Sequence, residues 1–300
     1  DDLRQVLLVP RNHSVDRLDH LVSPVLIAPV HRVRQNLLEK DHLPEDLAPL
    51  LNLASIGGTV AVQARQTLEE TDWLLALADG HPLIWGVVGW LDLCGADLLA
   101  HLERFSAHPK FRGVRHVLQD EPDDEFMLRP DFCQGIRALQ AFGLTYDILI
   151  FPRHLPVACQ LASQFPDQPF VLDHIAKPLI KDRKMEPWAS DIRAFASFPN
   201  VRCKVSGMVT EADWQRWQPA DLKPYLDIVF EAFGPQRLMF GSDWPVCTVS
   251  GTYADIVGVV RDYVESLSED EQSAVWGETA QDFYGLACPA DSKHTSQPPY

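Results

Sequence analysis

The sequence predicts an α/β protein, a (β/α)8 barrel of the TIM type whose first βα unit is atypical or missing. Three observations carry this. Short β-branched, near-continuous apolar runs recur at intervals of roughly 25–35 residues, as expected of parallel strands buried on both faces. Between them lie longer stretches with apolar residues at three- and four-residue spacing, the mark of amphipathic helices. No glycine-rich phosphate turn follows an early run, which argues against a doubly wound sheet and leaves the barrel.

The elements follow in order. The first strand is weakly marked: residues 5–9 and 25–30 are candidates, the second broken by Pro24 and Pro29. A helix over 43–53 has no obvious strand before it. Seven clear strands are predicted at 56–64, 84–93, 111–118, 145–151, 170–175, 201–207 and 237–244. After the first of these, Leu68, Trp73, Leu74 and Leu77 mark a helical face. Leu222, Leu226, Val229, Phe230 and Phe233 mark another, which stops at Gly234-Pro235. Ser268 and Glu271 form a capping box that opens the last helix. The chain therefore divides into an atypical segment 1–33, a barrel over 34–286 and a Pro/Ser-rich tail over 287–300 that is expected to be disordered.

Composition limits the partners. Lys and Arg number 26 against 42 Asp and Glu, a net charge of −16. No basic run is present, so nucleic acid and anionic membrane surfaces are excluded as partners, and a small molecule is expected instead. No apolar run is long enough to span a bilayer, and the run at 6–9 is too short for a signal-peptide core. The six cysteines stand tens of residues apart without a C-x-x-C pair, which points to reduced thiols in the cytoplasm. Oligomeric state is not encoded in any motif.

In a barrel, chemistry gathers where strands end. Here those ends read Val62-Gln63-Ala64-Arg65, Gly113-Val114-Arg115-His116, Tyr146-Asp147 with Arg153-His154 beyond it, Leu172-Asp173-His174, Lys204-Val205-Ser206-Gly207 and Phe240-Gly241-Ser242-Asp243-Trp244-Pro245. Charged groups are costly to bury without partners, so their position after apolar runs calls for an explanation. His174 and Asp243 close long apolar runs, and an imidazole with a carboxylate suits a divalent metal. Asp243 also suits a general base. Arg115, Arg153 and Arg65 suit the holding of substrate oxygens. His154 and Lys204 read more simply as hydrogen-bonded structural groups. Trp90, Trp214, Trp217 and Trp244 are aromatic surfaces for a sugar ring or for packing, with Trp244 favoured by its place beside Asp243. His31, His42, His81, His101, His108 and His294 read as solvated.

At these motifs the sequence resembles the amidohydrolase superfamily, its family 2 branch, and within that the sugar lactonases of the L-fuconolactonase type. The likeness spans about four-fifths of the chain, from Asp41-His42-Leu43-Pro44 to Phe283-Tyr284-Gly285-Leu286. It implies a hydrolase that opens a cyclic ester of a sugar acid with an activated water. It implies Asp243, His116 and Arg115 as catalytic residues. It implies Gln63 and Arg65 around the substrate, to which the strand ends add Asp147, Arg153 and Trp244. It implies His174 and Asp243 as ligands of a divalent metal, zinc or manganese, bound weakly or dispensed with.

The sequence departs from the family pattern at the front. The family's first strand ends in Asp-x-His-x-His, whose i, i+2 spacing puts both imidazoles on one face. No His-x-His occurs in this chain; Asn12-His13 and Asp19-His20 hold single histidines. A frameshift or displaced start ahead of Arg34 would account for this, as would a metal-free lactonase. Three alternatives to the lactonase stay open: a decarboxylase of the same branch, a Schiff-base lyase built on Lys204, and a catalytically impaired barrel that only binds ligand.

Overall fold

A computed structural model describes residues 3–6 and 41–287. Eight parallel strands form one sheet in sequential order: β1 (Leu3–Val6), β2 (Gly58–Val62), β3 (Ile84–Gly89), β4 (Phe111–His116), β5 (Thr145–Ile148), β6 (Phe170–Leu172), β7 (Val201–Val205) and β8 (Leu238–Phe240). β1 also lies against β8, which brings the two edges of the sheet together. Helices α1 (Pro44–Leu53), α2 (Leu68–Gly80), α3 (Leu98–Ser106), α4 (Pro130–Ala141), α5 (Leu155–Gln164), α6 (Trp188–Ala196), α7 (Pro219–Phe233) and α8 (Tyr253–Val264) alternate with the strands. This is the predicted barrel.

The expected weakness at the front is resolved in one respect. β1 overlaps the candidate at 5–9 and pairs in register with β2, Leu3 beside Gly58 and Val6 beside Ala61. The sheet thus takes its first strand from within the segment 1–33 that the sequence sets apart. The candidate strand at 25–30, His13, His20, His31, His294, Cys288 and the tail lie outside the described residues.

Strand side chains alternate between two faces, and both are buried. Ala61, Val87, Val114, Tyr146, Ile148, Leu172, Cys203 and Phe240 join the large core between sheet and helices. Val60, Val62, Val88, Val171 and Met239 face inward, and Tyr284 and Leu286 from the end of the chain pack on them. The two-faced burial explains why the strands read as unbroken apolar runs.

Most of the observed strands end sooner than the apolar runs predict. The runs at 170–175, 201–207 and 237–244 stop pairing at Leu172, Val205 and Phe240. The backbone turns left-handed just beyond, at His174 to Lys177, Gly207 and Asp243, and such residues cannot continue a pleat. The predicted face of α2 is also rotated. Leu74, Leu75 and Ala78 are buried with Glu70 and Thr71, whereas Trp73 and Leu77 are half-buried. Thr71 turns inward because its hydroxyl donates to Trp90 O and accepts from Trp90 N, both at 2.9 Å.

The stop of α7 at Gly234 and the capping box of Ser268 with Glu271 occur as read. Among the described residues, no helix is long and apolar enough to cross a membrane. Cys94, Cys133, Cys159, Cys203 and Cys247 are free thiols.

Candidate active site

The strand ends deliver charge to the barrel interior, and most of that charge is internally balanced. Register pairs Arg115 on β4 with Asp147 on β5. Lys204 Nζ lies 2.5 Å from Asp147 Oδ2 and 2.7 Å from Asp173 Oδ1. Arg115 Nη1 donates to Asp173 Oδ2 at 2.7 Å, and Tyr284 Oη donates to Asp147 Oδ2 at 2.8 Å. Arg115 Nη2 donates to Gln63 O, and Gln63 Nε2 answers by donating to Arg115 O at 3.0 Å. These side chains are at most 4% exposed. Buried ions of this kind persist only when paired and hydrogen-bonded.

This layer revises two expectations and agrees with a third. Asp147, expected beside substrate, is sealed, and its Oδ2 is shared by Lys204 and Tyr284. Arg115, expected as a catalytic group, directs its guanidinium to Asp173 and the Gln63 carbonyl. Lys204 is held by two carboxylates, as the structural reading of its sequence position expects.

Above this layer His174 and Asp243 converge. His174 Nε2 lies 3.7 Å from Asp243 Oδ1, with the side chains 6% and 12% exposed. His174 Nδ1 bonds Ser206 Oγ at 2.9 Å, which fixes the ring and leaves Nε2 toward Asp243. Burial pushes Asp243 up to about 7 and His174 down to about 3, so the imidazole is neutral at physiological pH. Both residues have left-handed backbone, φ 53 and 55. Left-handed backbone costs roughly 1–2 kcal/mol per residue without glycine, and strain of this sort concentrates at functional sites.

The His174–Asp243 pair suits a divalent ion in donor chemistry, an imidazole nitrogen and a carboxylate oxygen with the imidazole oriented from behind. Among the described residues no group of three His, Cys, Asp or Glu side chains gathers to complete such a site. The sequence of β1, Leu-Arg-Gln-Val, carries no His-x-His.

The remaining expected residues sit around this pair or away from it. His116 Nδ1 accepts from Trp90 Nε1 at 3.3 Å, so Nε2 carries the proton toward Glu121 Oε1 at 2.6 Å. The ring also stacks on Phe126 at 5.2 Å. With both nitrogens engaged, His116 is a fixed group rather than a free acid or base, and burial lowers its pKa against the opposing pull of Glu121. Arg65 is half-buried, on the loop after β2. Arg153 is half-exposed and paired with Asp124 at 2.9 Å, out on the loop after β5. Trp244 is 3% exposed and meets the His42 ring edge-on at 5.2 Å, so it packs rather than offering a face. His42, expected in solvent, is correspondingly buried. Trp214 and Trp217 donate to Thr210 O and Ser250 O, both at 2.8 Å, and serve their own loops.

The structure adds residues that sequence reasoning passed over. Glu70 accepts from Ala64 N at 3.0 Å and Arg65 N at 2.6 Å, clamping the loop that carries Arg65. Burial outweighs those bonds and pushes Glu70 up to about 7. Thr67 three residues before it caps α2, accepting from Glu70 N at 3.2 Å; that T-x-x-E spacing was the available signal. Glu211, pushed up to about 7 by burial, and Lys177, 9% exposed, flank Asp243 with no motif to announce them.

Comparison with known proteins bears on the fold and the family. The amidohydrolase family model matches residues 26–286, somewhat ahead of the start at 34 expected from the motifs. An L-fucono-1,5-lactonase of Burkholderia multivorans is 41% identical over 268 residues, 86% of this chain and 90% of the relative. Its counterpart in Burkholderia ambifaria is 37% identical over 85% and 89%. The crystal structure of an amidohydrolase from B. multivorans with bound zinc superposes with a TM-score of 0.86 at 38% identity, covering 95% of this chain and 99% of that one.

Proposed function

The chain belongs to the amidohydrolase family, and from that membership we propose that it is a hydrolase that opens the lactone of a sugar acid by attack of water. Its substrate is then a small neutral molecule, with L-fucono-1,5-lactone the first to try because two relatives carry that activity in their names. The observation that carries the reading is the convergence of His174 and Asp243 at the ends of β6 and β8, 3.7 Å apart.

In this reading Asp243 accepts the proton of the attacking water, since a carboxylate held near neutrality is matched to that task. His174 Nε2 and Asp243 would hold a divalent ion, zinc or manganese, which when bound polarises the lactone carbonyl. Arg65 borders the substrate from the loop after β2, whereas Gln63, expected beside substrate, is buried and holds Arg115 instead. Arg115 acts through Gln63 and Asp173 and so positions the site. His116, the last residue of β4, is held by Trp90 and Glu121 and serves as a positioning group. Free cysteines and a strongly acidic composition fit a cytoplasmic enzyme without nucleic-acid or membrane partners.

The test is hydrolysis of an aldonolactone panel by the purified chain, with and without added zinc or manganese. Turnover of at least one sugar lactone is expected. Ligand binding with no turnover of any lactone would favour the impaired, binding-only barrel, which the missing His-x-His motif keeps in view.

A further inference from the structure

His174 to Lys177 form a left-handed turn of four residues without a glycine, φ 53, 47, 59 and 50. Such a run survives only where its surroundings over-determine it. Trp188 Nε1, from the start of α6, donates to Ile175 O at 2.8 Å. Lys177 N donates to His174 O at 2.8 Å, and Ser206 holds the His174 ring. Asp173, just before the turn, is pinned by Arg115 and Lys204.

These pins hold the backbone and leave the side chain at the end of the turn uncommitted. Lys177 is 9% exposed, and its Nζ lies over the Phe151 ring, 5.6 Å from the centroid. Among the described residues no carboxylate stands within ion-pairing distance of that ammonium. Arg115 and Lys204, more deeply buried, are each matched to carboxylates at 2.7 Å or less. The Lys177 charge bears on His174, Asp243 and Glu211, which places it at the site rather than behind it. The carboxylates that it acts on, Asp243 and Glu211, are not in ion-pair contact with it, so the ammonium is open to a ligand that brings negative charge.

We propose that Lys177 is the anion-binding cation of the site, taking the lactone carbonyl oxygen as water adds and then the carboxylate of the opened acid. The inference rests on the lactonase reading and deepens it. The water oxygen bonds the carbonyl carbon, its proton passes to Asp243, and the carbonyl electron pair moves onto the oxygen beside Lys177 Nζ. As that pair returns, the ring carbon–oxygen bond breaks and Asp243 returns the proton to the ring oxygen. The products are a hydroxyl and a carboxylic acid, which ionises. An oriented cation in a water-poor site favours such an oxyanion because it needs no reorganisation when charge develops.

The experiment compares the wild type with Lys177→Met and Lys177→Arg. It measures kcat and KM for L-fucono-1,5-lactone, and calorimetric binding of L-fuconate, the acid formed from it. Removing the cation should lower kcat/KM by about 10²–10³-fold, mostly in kcat. L-Fuconate affinity should fall by about tenfold or more in Lys177→Met and be partly restored in Lys177→Arg, because either cation can pair with a carboxylate. A merely structural lysine would move the melting temperature and leave L-fuconate affinity unchanged. That result, or failure of the wild type to bind L-fuconate, overturns the proposal. Lys177→Gln replaces the Met variant if the latter does not fold. Binding of L-fuconate through Lys177 by a wild type that hydrolyses no lactone would uphold the cation and sink the hydrolase.

Discussion

Gly207 lies against the imidazole of His174: a methyl group at Gly207 would stand 2.7 Å from His174 Cβ and Cγ and 2.8 Å from Nδ1. Its φ of 65° is also one that a side chain resists. Gly207→Ala therefore strains the backbone and pushes the ring off Ser206. The expected result is a loss of about 1–3 kcal/mol in stability from the backbone alone. Activity should fall further than stability explains, since misplacing a reacting group by about 1 Å can cost 10²-fold. Urea unfolding and steady-state kinetics on the same preparation separate the two effects.

Asp243→Asn keeps the shape of the side chain and removes its basicity. With Asp243 as proton acceptor, kcat should fall by about 10²–10⁴-fold while the melting temperature holds or rises, because a buried carboxylate has been neutralised. Unchanged kcat would remove Asp243 from the chemistry. Treating the wild type with a chelator and restoring zinc or manganese reports separately on the metal. Full activity after exhaustive chelation would mean that His174 and Asp243 work without one.

The buried charge layer predicts asymmetric losses. Lys204→Met leaves Asp147 and Asp173 facing each other without the ammonium that sits 2.5 and 2.7 Å from them. Breaking a buried pair from one side costs about 3–5 kcal/mol. Denaturant unfolding should show it. Adding Asp147→Asn to Lys204→Met should recover part of the loss, since the second change removes an orphaned charge.

Glu70 ties stability to pH. Its carboxyl titrates at about 7 in the fold against 4.5 ordinarily, so between these values the folded chain holds a proton that the unfolded chain has released. Stability from this group therefore falls as pH rises from about 4.5 to about 7, with a slope of up to about 1.4 kcal/mol per pH unit. Glu70→Gln should flatten that segment of the stability profile, which melting curves across this range would reveal. An unaltered profile would mean that the carboxyl is not desolvated as the structure indicates.

The barrel was legible because a parallel sheet covered on both sides must be written as repeated apolar runs, and seven of its strands are. β1 was nearly hidden because Leu3–Val6 is a short strand carrying Arg4 and Gln5. His174 and Asp243 could be read because each polar residue ends an apolar run. Their neighbours could not be assigned so easily. Asp147, Arg115 and Lys204 look alike in sequence to residues that face a ligand, and only the inward register shows that they neutralise one another. Lys177 was invisible because its position depends on a left-handed turn that no local composition announces. Glu70 was recoverable from its spacing to Thr67, although not its hold on the Arg65 loop.

The layer of Arg115, Lys204, Asp147 and Asp173 pairs two cations with two anions deep in the barrel. The surplus of 16 negative charges must therefore reside elsewhere in the chain, largely where water and counterions reach it. Ionic strength will govern how molecules of this protein repel or crowd one another, over a screening length of about 8 Å at physiological salt. The barrel interior is insulated from that medium by its own neutrality, so changes in electrolyte should alter colloidal behaviour long before they disturb the floor on which the site stands.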